Sequence, residues 1–238
     1  MIPTMNADPR AWRPQAFGHR RVRDVSDPVI EPAWDGVRVL AHLDVSTGRA
    51  AIRDASGEDL ARDHAPIAVA LLAALAADSA VVDGYLTDQA TRPGEGRAIV
   101  TSEMPSLSEH TSQFFLGRQG SELLSGRGRP GRTDLGRNVD RMERLEDARI
   151  AFVAVDLVAL DGEPLIEIPL LERKRLLESA LAEGDLVRRT PYVREPAGTF
   201  IITWRSFGFG GLAYKAANSR YLPGGANDDW CMTPMPRR

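Results

Sequence analysis

Glu31-Pro32-Ala33-Trp34-Asp35-Gly36-Val37-Arg38, continued by Val39-Leu40-Ala41-His42-Leu43, places roughly alternating apolar and polar residues on either side of an Asp-Gly pair. Period-two alternation is the pattern of a half-buried strand, and Asp-Gly favours the tight turn between two such strands. The residues alone therefore predict a hairpin. Outward from it, Ala50 to Asp54 reads as a third strand, and Ser56-Gly57 as a turn. Pro66 sits in the first turn of a helix whose apolar stripe includes Ile67, Leu71 and Leu75. Ala80-Val81-Val82-Asp83-Gly84-Tyr85-Leu86 is a further strand.

The 238 residues are enough to bury a substantial core. A net charge of -3 provides no global field toward nucleic acid or an anionic membrane, so such binding would need a local patch. Of 30 basic residues only Lys174 and Lys215 are lysines, which leaves lysine chemistry two candidates. Cys231 is the single cysteine, which excludes an internal disulfide and fits a reducing, cytoplasmic compartment. The four histidines lack the spacing of a zinc site, so no metal site is expected from them. No apolar run is long enough for a membrane span, and the N-terminus lacks the apolar core of a signal peptide.

Residues 1–27, with Pro3, Pro9, Pro14 and the cluster Arg20-Arg21-Val22-Arg23, read as a loosely ordered lead-in. From about 88 to 147, frequent glycine and proline interrupt any long element, and this stretch reads as an insertion. Within it, Arg127-Gly128-Arg129-Pro130 has the form of an AT-hook core, whose arginines enter the narrow minor groove; Arg132 extends the charge. The alternative is an arginine-rich surface segment. Ile150 to Val158 is a nearly continuous apolar run, hence a buried strand. Pro169 opens a helix ended by Gly184, Phe200 to Phe207 predicts another, and Gly210 to Lys215 predicts a strand.

Trp34-Asp35-Gly36-Val37-Arg38 resembles the nucleotidyl-transfer motif of ATP-dependent DNA ligases, Glu-x-Lys-Trp/Tyr-Asp-Gly-x-Arg, whose lysine carries the adenylate. Further family landmarks follow in order. They are Asp54-Ala55-Ser56-Gly57 with Asp59-Leu60, then Val82-Asp83-Gly84-Tyr85, Val155-Asp156-Leu157 with Asp161-Gly162, Gly210 to Lys215, Ser219 to Gly224, and Trp230. This collinearity over roughly residues 28 to 234 is more specific than any one motif. It implies an adenylation domain over residues 28–238 of the DNA ligase/mRNA capping enzyme-like type. Such a domain is α+β, with two antiparallel β-sheets flanked by helices and a groove between them. The resemblance also implies an OB-fold beyond the Trp-x-Lys segment, and no OB-fold domain is expected within these residues.

The departures from the pattern fall on the chemistry. Ala33 stands where the family has its lysine, and a methyl group offers no lone pair to attack the α-phosphorus of ATP. Ala55 replaces an arginine, Tyr85 and Gly210 replace glutamates that would hold ribose and Mg²⁺, and Met232 and Pro234 replace lysines at the triphosphate. Val155 replaces an aromatic ring that would stack on adenine, a contact worth about 1–3 kcal/mol per base. Phe152, an odd number of residues away on the same strand, points to the other face. One exchange at Ala33 would leave the other positions intact, so together they describe an eroded pocket: Ala33, Trp34, Asp35, Gly36, Arg38, Tyr85, Val155, Gly210, Lys215 and Met232. Arg38 and Lys215 could still meet a phosphate or form surface ion pairs.

The resulting expectation is a non-catalytic, ligase-like pseudoenzyme without ATP or Mg²⁺ as cofactors. It would bind DNA, through Arg127, Arg129 and Arg132, or a protein partner. The alternative is a functional ATP-dependent DNA ligase or adenylyltransferase acting in DNA repair.

Overall fold

The computed structural model describes residues 8–90 and 149–236. Eleven strands and three α-helices are found among them. β2 (Pro28–Pro32), β9 (Gly211–Ala216) and β11 (Trp230–Pro234) form a three-stranded antiparallel sheet in the order β11-β9-β2. The larger sheet runs β4 (Arg49–Asp54), β3 (Val37–Asp44), β5 (Ser79–Thr87), β6 (Ala151–Leu160), β7 (Glu163–Pro164). It is antiparallel apart from β8 (Val187–Arg189), which pairs in parallel with β6. The α1 (Ala65–Ala74) and α2 (Leu170–Ala180) helices contribute Ile67, Leu71 and Leu177 to a core cluster on one face of this sheet, where Val39, Val82 and Phe152 also lie. The α3 helix (Gly198–Ser206) sets Phe200 and Trp204 against Ile30, Leu212 and Tyr214. None of these helices is long and apolar enough to cross a membrane.

The α+β arrangement and the element order follow the residues. Val155 packs with Trp34 while Phe152 packs with Val39, so the two occupy opposite faces of β6 as strand alternation requires. Phe152 fills the space left by Gly84, where an added Cβ would stand 2.4 Å from its ring.

Asp35-Gly36 is not a hairpin turn. β2 ends in the small sheet, and β3 begins in the large one, paired with β4 and β5. The Asp-Gly pair carries the chain across from one sheet to the other. Gly36 has φ +133°, and a Cβ there would lie 2.2 Å from the carbonyl oxygen of Leu86, so only glycine fits the crossing. Gln89 Oε1 accepts from the Asp35 amide at 2.8 Å and fixes its entry.

The lead-in is tied down over residues 8–27, contrary to the looseness read from its composition. Trp12 and Gln15 are buried; the Gln15 amide donates to the Tyr221 hydroxyl at 3.0 Å, and Gln15 Oε1 accepts from Leu222 and Asn227. β1 (Ala16–Phe17) runs parallel to β10 (Ala226–Asn227). The proline and arginine content hid contacts that reach across the whole chain.

Candidate active site: a cleft closed by its own side chains

Register places the site. Val29 and Glu31 share one face of β2, with Ala33 just past its end in the same alternation; Lys215 lies opposite Val29, Ala213 opposite Glu31, and on β11 Trp230 and Met232 lie opposite Lys215 and Ala213. That face looks toward Tyr85 of β5 and Val155 of β6. A cavity of about 10 Å³, room for one water molecule, lies between them. Ala33, Trp34, Tyr85, Val155, Lys215 and Met232 all line it, so the structure brings these sequence-derived positions together. Asp35 and Gly36 belong to the crossing, and Gly210 lies outside the lining, with open space where its Cβ would be. Arg127, Arg129, Arg132 and the insertion from residue 91 on lie outside the described residues.

Sequence reading missed Glu31 and Phe17, which also line the cavity, and the place of Lys174. Glu31 Oε1 stands 2.5 Å from Lys174 Nζ, and Glu31 Oε2 stands 2.8 Å from Lys215 Nζ. Both lysines of the chain thus meet on one carboxylate, all three side chains being about 2% exposed. Lys174 also donates to the Val155 carbonyl at 3.0 Å, and Lys215 Nζ lies 4.2 Å from the Trp230 ring centroid. The available signal was positional: Glu31 is two residues before Ala33 and so shares its strand face.

Electrostatics follow from burial. Desolvation pushes the Glu31 pKa up, but the two ammonium groups outweigh it and hold the carboxyl below its ordinary value. Desolvation also pulls the Lys215 pKa down; Glu31 opposes this, and repulsion from Lys174 and Arg38 adds to it, so the lysine is left below its usual range.

Arg38 and Lys215 form internal pairs rather than surface ones, Lys215 fully buried and Arg38 about 14% exposed. Arg38 Nε and Nη2 donate to Asp83 Oδ1 and Oδ2 at 3.0 and 2.6 Å, and Asp83 Oδ2 also accepts from the Tyr221 hydroxyl at 2.8 Å. The guanidinium carbon lies 5.4, 5.8 and 5.6 Å from the ring centroids of Phe17, Tyr85 and Trp230. Burial works against the Arg38 charge, and the Asp83 carboxylate outweighs it, so its pKa is raised. Tyr85, where a carboxylate was expected to be needed, turns its ring toward this cation and walls the cavity. Trp34 is a core residue: its indole N–H donates to Thr190 Oγ1 at 2.9 Å, and its ring meets Phe209 edge-on at 4.9 Å.

With the side chains in these positions the space is too small for a nucleotide. The space holds one water, and the nearby cations are engaged by Glu31, Asp83 and aromatic rings. Among the described residues no group of three or more His, Cys, Asp or Glu side chains is placed to hold a metal ion.

A family description, ATP dependent DNA ligase domain, matches residues 19–232. The chain is 28% identical over 200 residues to the multifunctional non-homologous end joining DNA repair protein LigD of Mycobacterium tuberculosis, covering 84% of this chain and 20% of that protein. It is 26% identical over 209 residues to a DNA ligase of Thermococcus onnurineus, covering 86% of this chain and 32% of that enzyme. It therefore spans between a fifth and a third of these relatives. The ligase domain of M. tuberculosis LigD superposes with a TM-score of 0.61 at 23% identity, over 96% of this chain and 61% of that one, which establishes the shared fold. With that match running from just after β1 into β11, this chain belongs to the ATP-dependent DNA ligase family and carries its adenylation-domain fold.

Proposed function

We propose that this chain is a non-catalytic member of the family that binds duplex DNA in the setting of DNA repair and transfers no adenylate. One observation carries the reading: Ala33 takes the position of the family's nucleophile, and the chain's two lysines are both paired with Glu31. Adenylyl transfer needs a free amine lone pair aimed at the α-phosphorus. Each amine is instead held against Glu31, Lys174 at 2.5 Å and Lys215 at 2.8 Å. The loss of carboxylates at Tyr85 and Gly210 removes the ligands a divalent ion would need. DNA as partner rests on the family and on the arginines at 127, 129 and 132; repair rests on the relatives that carry that name.

The test has two arms. The protein is incubated with α-labelled ATP and Mg²⁺ or Mn²⁺ and resolved on a denaturing gel, where no label should remain on the chain. A labelled duplex should shift in a salt-dependent manner, and the shift should weaken when Arg127, Arg129 and Arg132 become alanine. A covalent label would favour the second reading, a functional ligase or adenylyltransferase. Unshifted DNA would remove the proposed partner.

A further inference from the structure

Among the described residues the Arg38–Asp83, Arg173–Asp156 and Lys174–Glu31–Lys215 groups place charge in the interior, and the last of them is unbalanced. Arg38 is matched to Asp83, and Arg173 to Asp156 at 3.0 and 2.7 Å, each by two parallel hydrogen bonds. The Lys174–Glu31–Lys215 group has two ammonium ions on one carboxylate, at 2.5 and 2.8 Å, with all three side chains about 2% exposed. An unmatched charge in an interior costs several kcal/mol, so buried charges are found paired. The surplus is positive, and Lys215 and Glu31 line a cavity of about 10 Å³. Its other walls are mainly apolar: Ala33, Trp34, Val155 and Met232.

We propose that this cavity is a binding site for a small monovalent anion of the halide class, held beside Lys215 as the counter-ion that Glu31 alone cannot provide. The size of the space decides the ligand. As the side chains stand it is water-sized, so a monatomic halide enters with a small outward shift of the lining, whereas phosphate, a carboxylate or a nucleotide would need far more room. The inference rests on the reading that the cleft no longer takes ATP, since a nucleotide would need the same space. Bound halide would make the folded state more stable by linkage, because the unfolded chain has no such site.

Thermal melting of the full chain in sodium chloride or bromide, against sodium gluconate at the same ionic strength, tests it. Halide should raise Tm saturably, by roughly 3–6 °C at a tenfold excess over Kd, while gluconate should not. Lys174→Met and Lys215→Met each leave one ammonium on one carboxylate, and each should abolish the halide-specific part of the shift. If neither variant folds, bromide soaked into crystals of the unaltered protein should give an anomalous peak beside Lys215. Coincident melting curves in the two salts, a halide shift undiminished in both variants, or an empty cavity in the bromide crystal would overturn the proposal. No arm contains ATP, so failure here is distinct from the appearance of a covalent adenylate, which would overturn the non-catalytic reading instead.

Discussion

Glu31 is the residue on which the interior of the cleft depends. Glu31→Gln keeps the shape but leaves two buried ammonium groups without a counter-charge, and should cost about 3–5 kcal/mol in urea unfolding. Removing one cation as well relieves the excess, so the double variant Glu31→Gln/Lys215→Met should be more stable than Glu31→Gln alone. Equal stabilities would show that the pair is not coupled. The pH dependence has two parts of the same sign. Glu31 titrates below its ordinary 4.5 when folded, so its contribution is present above that value and is lost as pH falls through the folded pKa. His42 is lowered from 6.5 to about 4 by burial, then by Arg53 and Arg13, and its Nε2 has no hydrogen-bond partner. The unfolded chain therefore binds the extra proton between about pH 4 and 6.5, and stability should rise with pH across that window. His42→Gln should flatten the slope in urea titrations between those values, and an unchanged slope would refute the assignment. At this scale the departures of Ala33, Tyr85 and Val155 from the family pattern could be read directly, because a different side chain is visible in the letters. It could not show the Lys174–Glu31 contact, which joins a helix to a strand 143 residues earlier.

Elements were legible where their signals were local. The continuous apolar run of β6, the proline at the start of α1 and the Pro169 boundary of α2 all marked what folded there. The Asp-Gly pair misled because hairpin and sheet crossing ask the same thing of glycine, a backbone angle that other residues avoid. What separates them is the pairing of β2 with β9, some 180 residues downstream, which no local pattern encodes. Gly36→Ala should therefore destabilise by about 1–3 kcal/mol, since it forces strained backbone and a Cβ against the Leu86 carbonyl. In a two-residue hairpin turn, Asn at the same position would be well tolerated; here Gly36→Asn should cost at least as much as alanine, measured by chemical denaturation. Gly84→Ala, which would press on Phe152 and the Val153 carbonyl, should cost a similar amount through overpacking.

For the whole molecule, the collinear order of landmarks carried the fold further than any single element, because two sheets and their connections must all be present for that order to make sense. What order could not convey is how little room the cleft leaves. Phe17 from the lead-in, Tyr85 and Trp230 surround Arg38, and the residual space is that of one water. On the non-catalytic reading proposed above, the narrow cleft is an obstacle besides Ala33, so restoring the lysine alone should not restore chemistry. The most direct test is covalent adenylation of the unaltered chain and of Ala33→Lys with α-labelled ATP and a divalent metal, read by denaturing gel and intact mass. The account predicts no AMP adduct on either protein. A stable adduct on the unaltered chain, at Lys174, Lys215 or elsewhere, would contradict it.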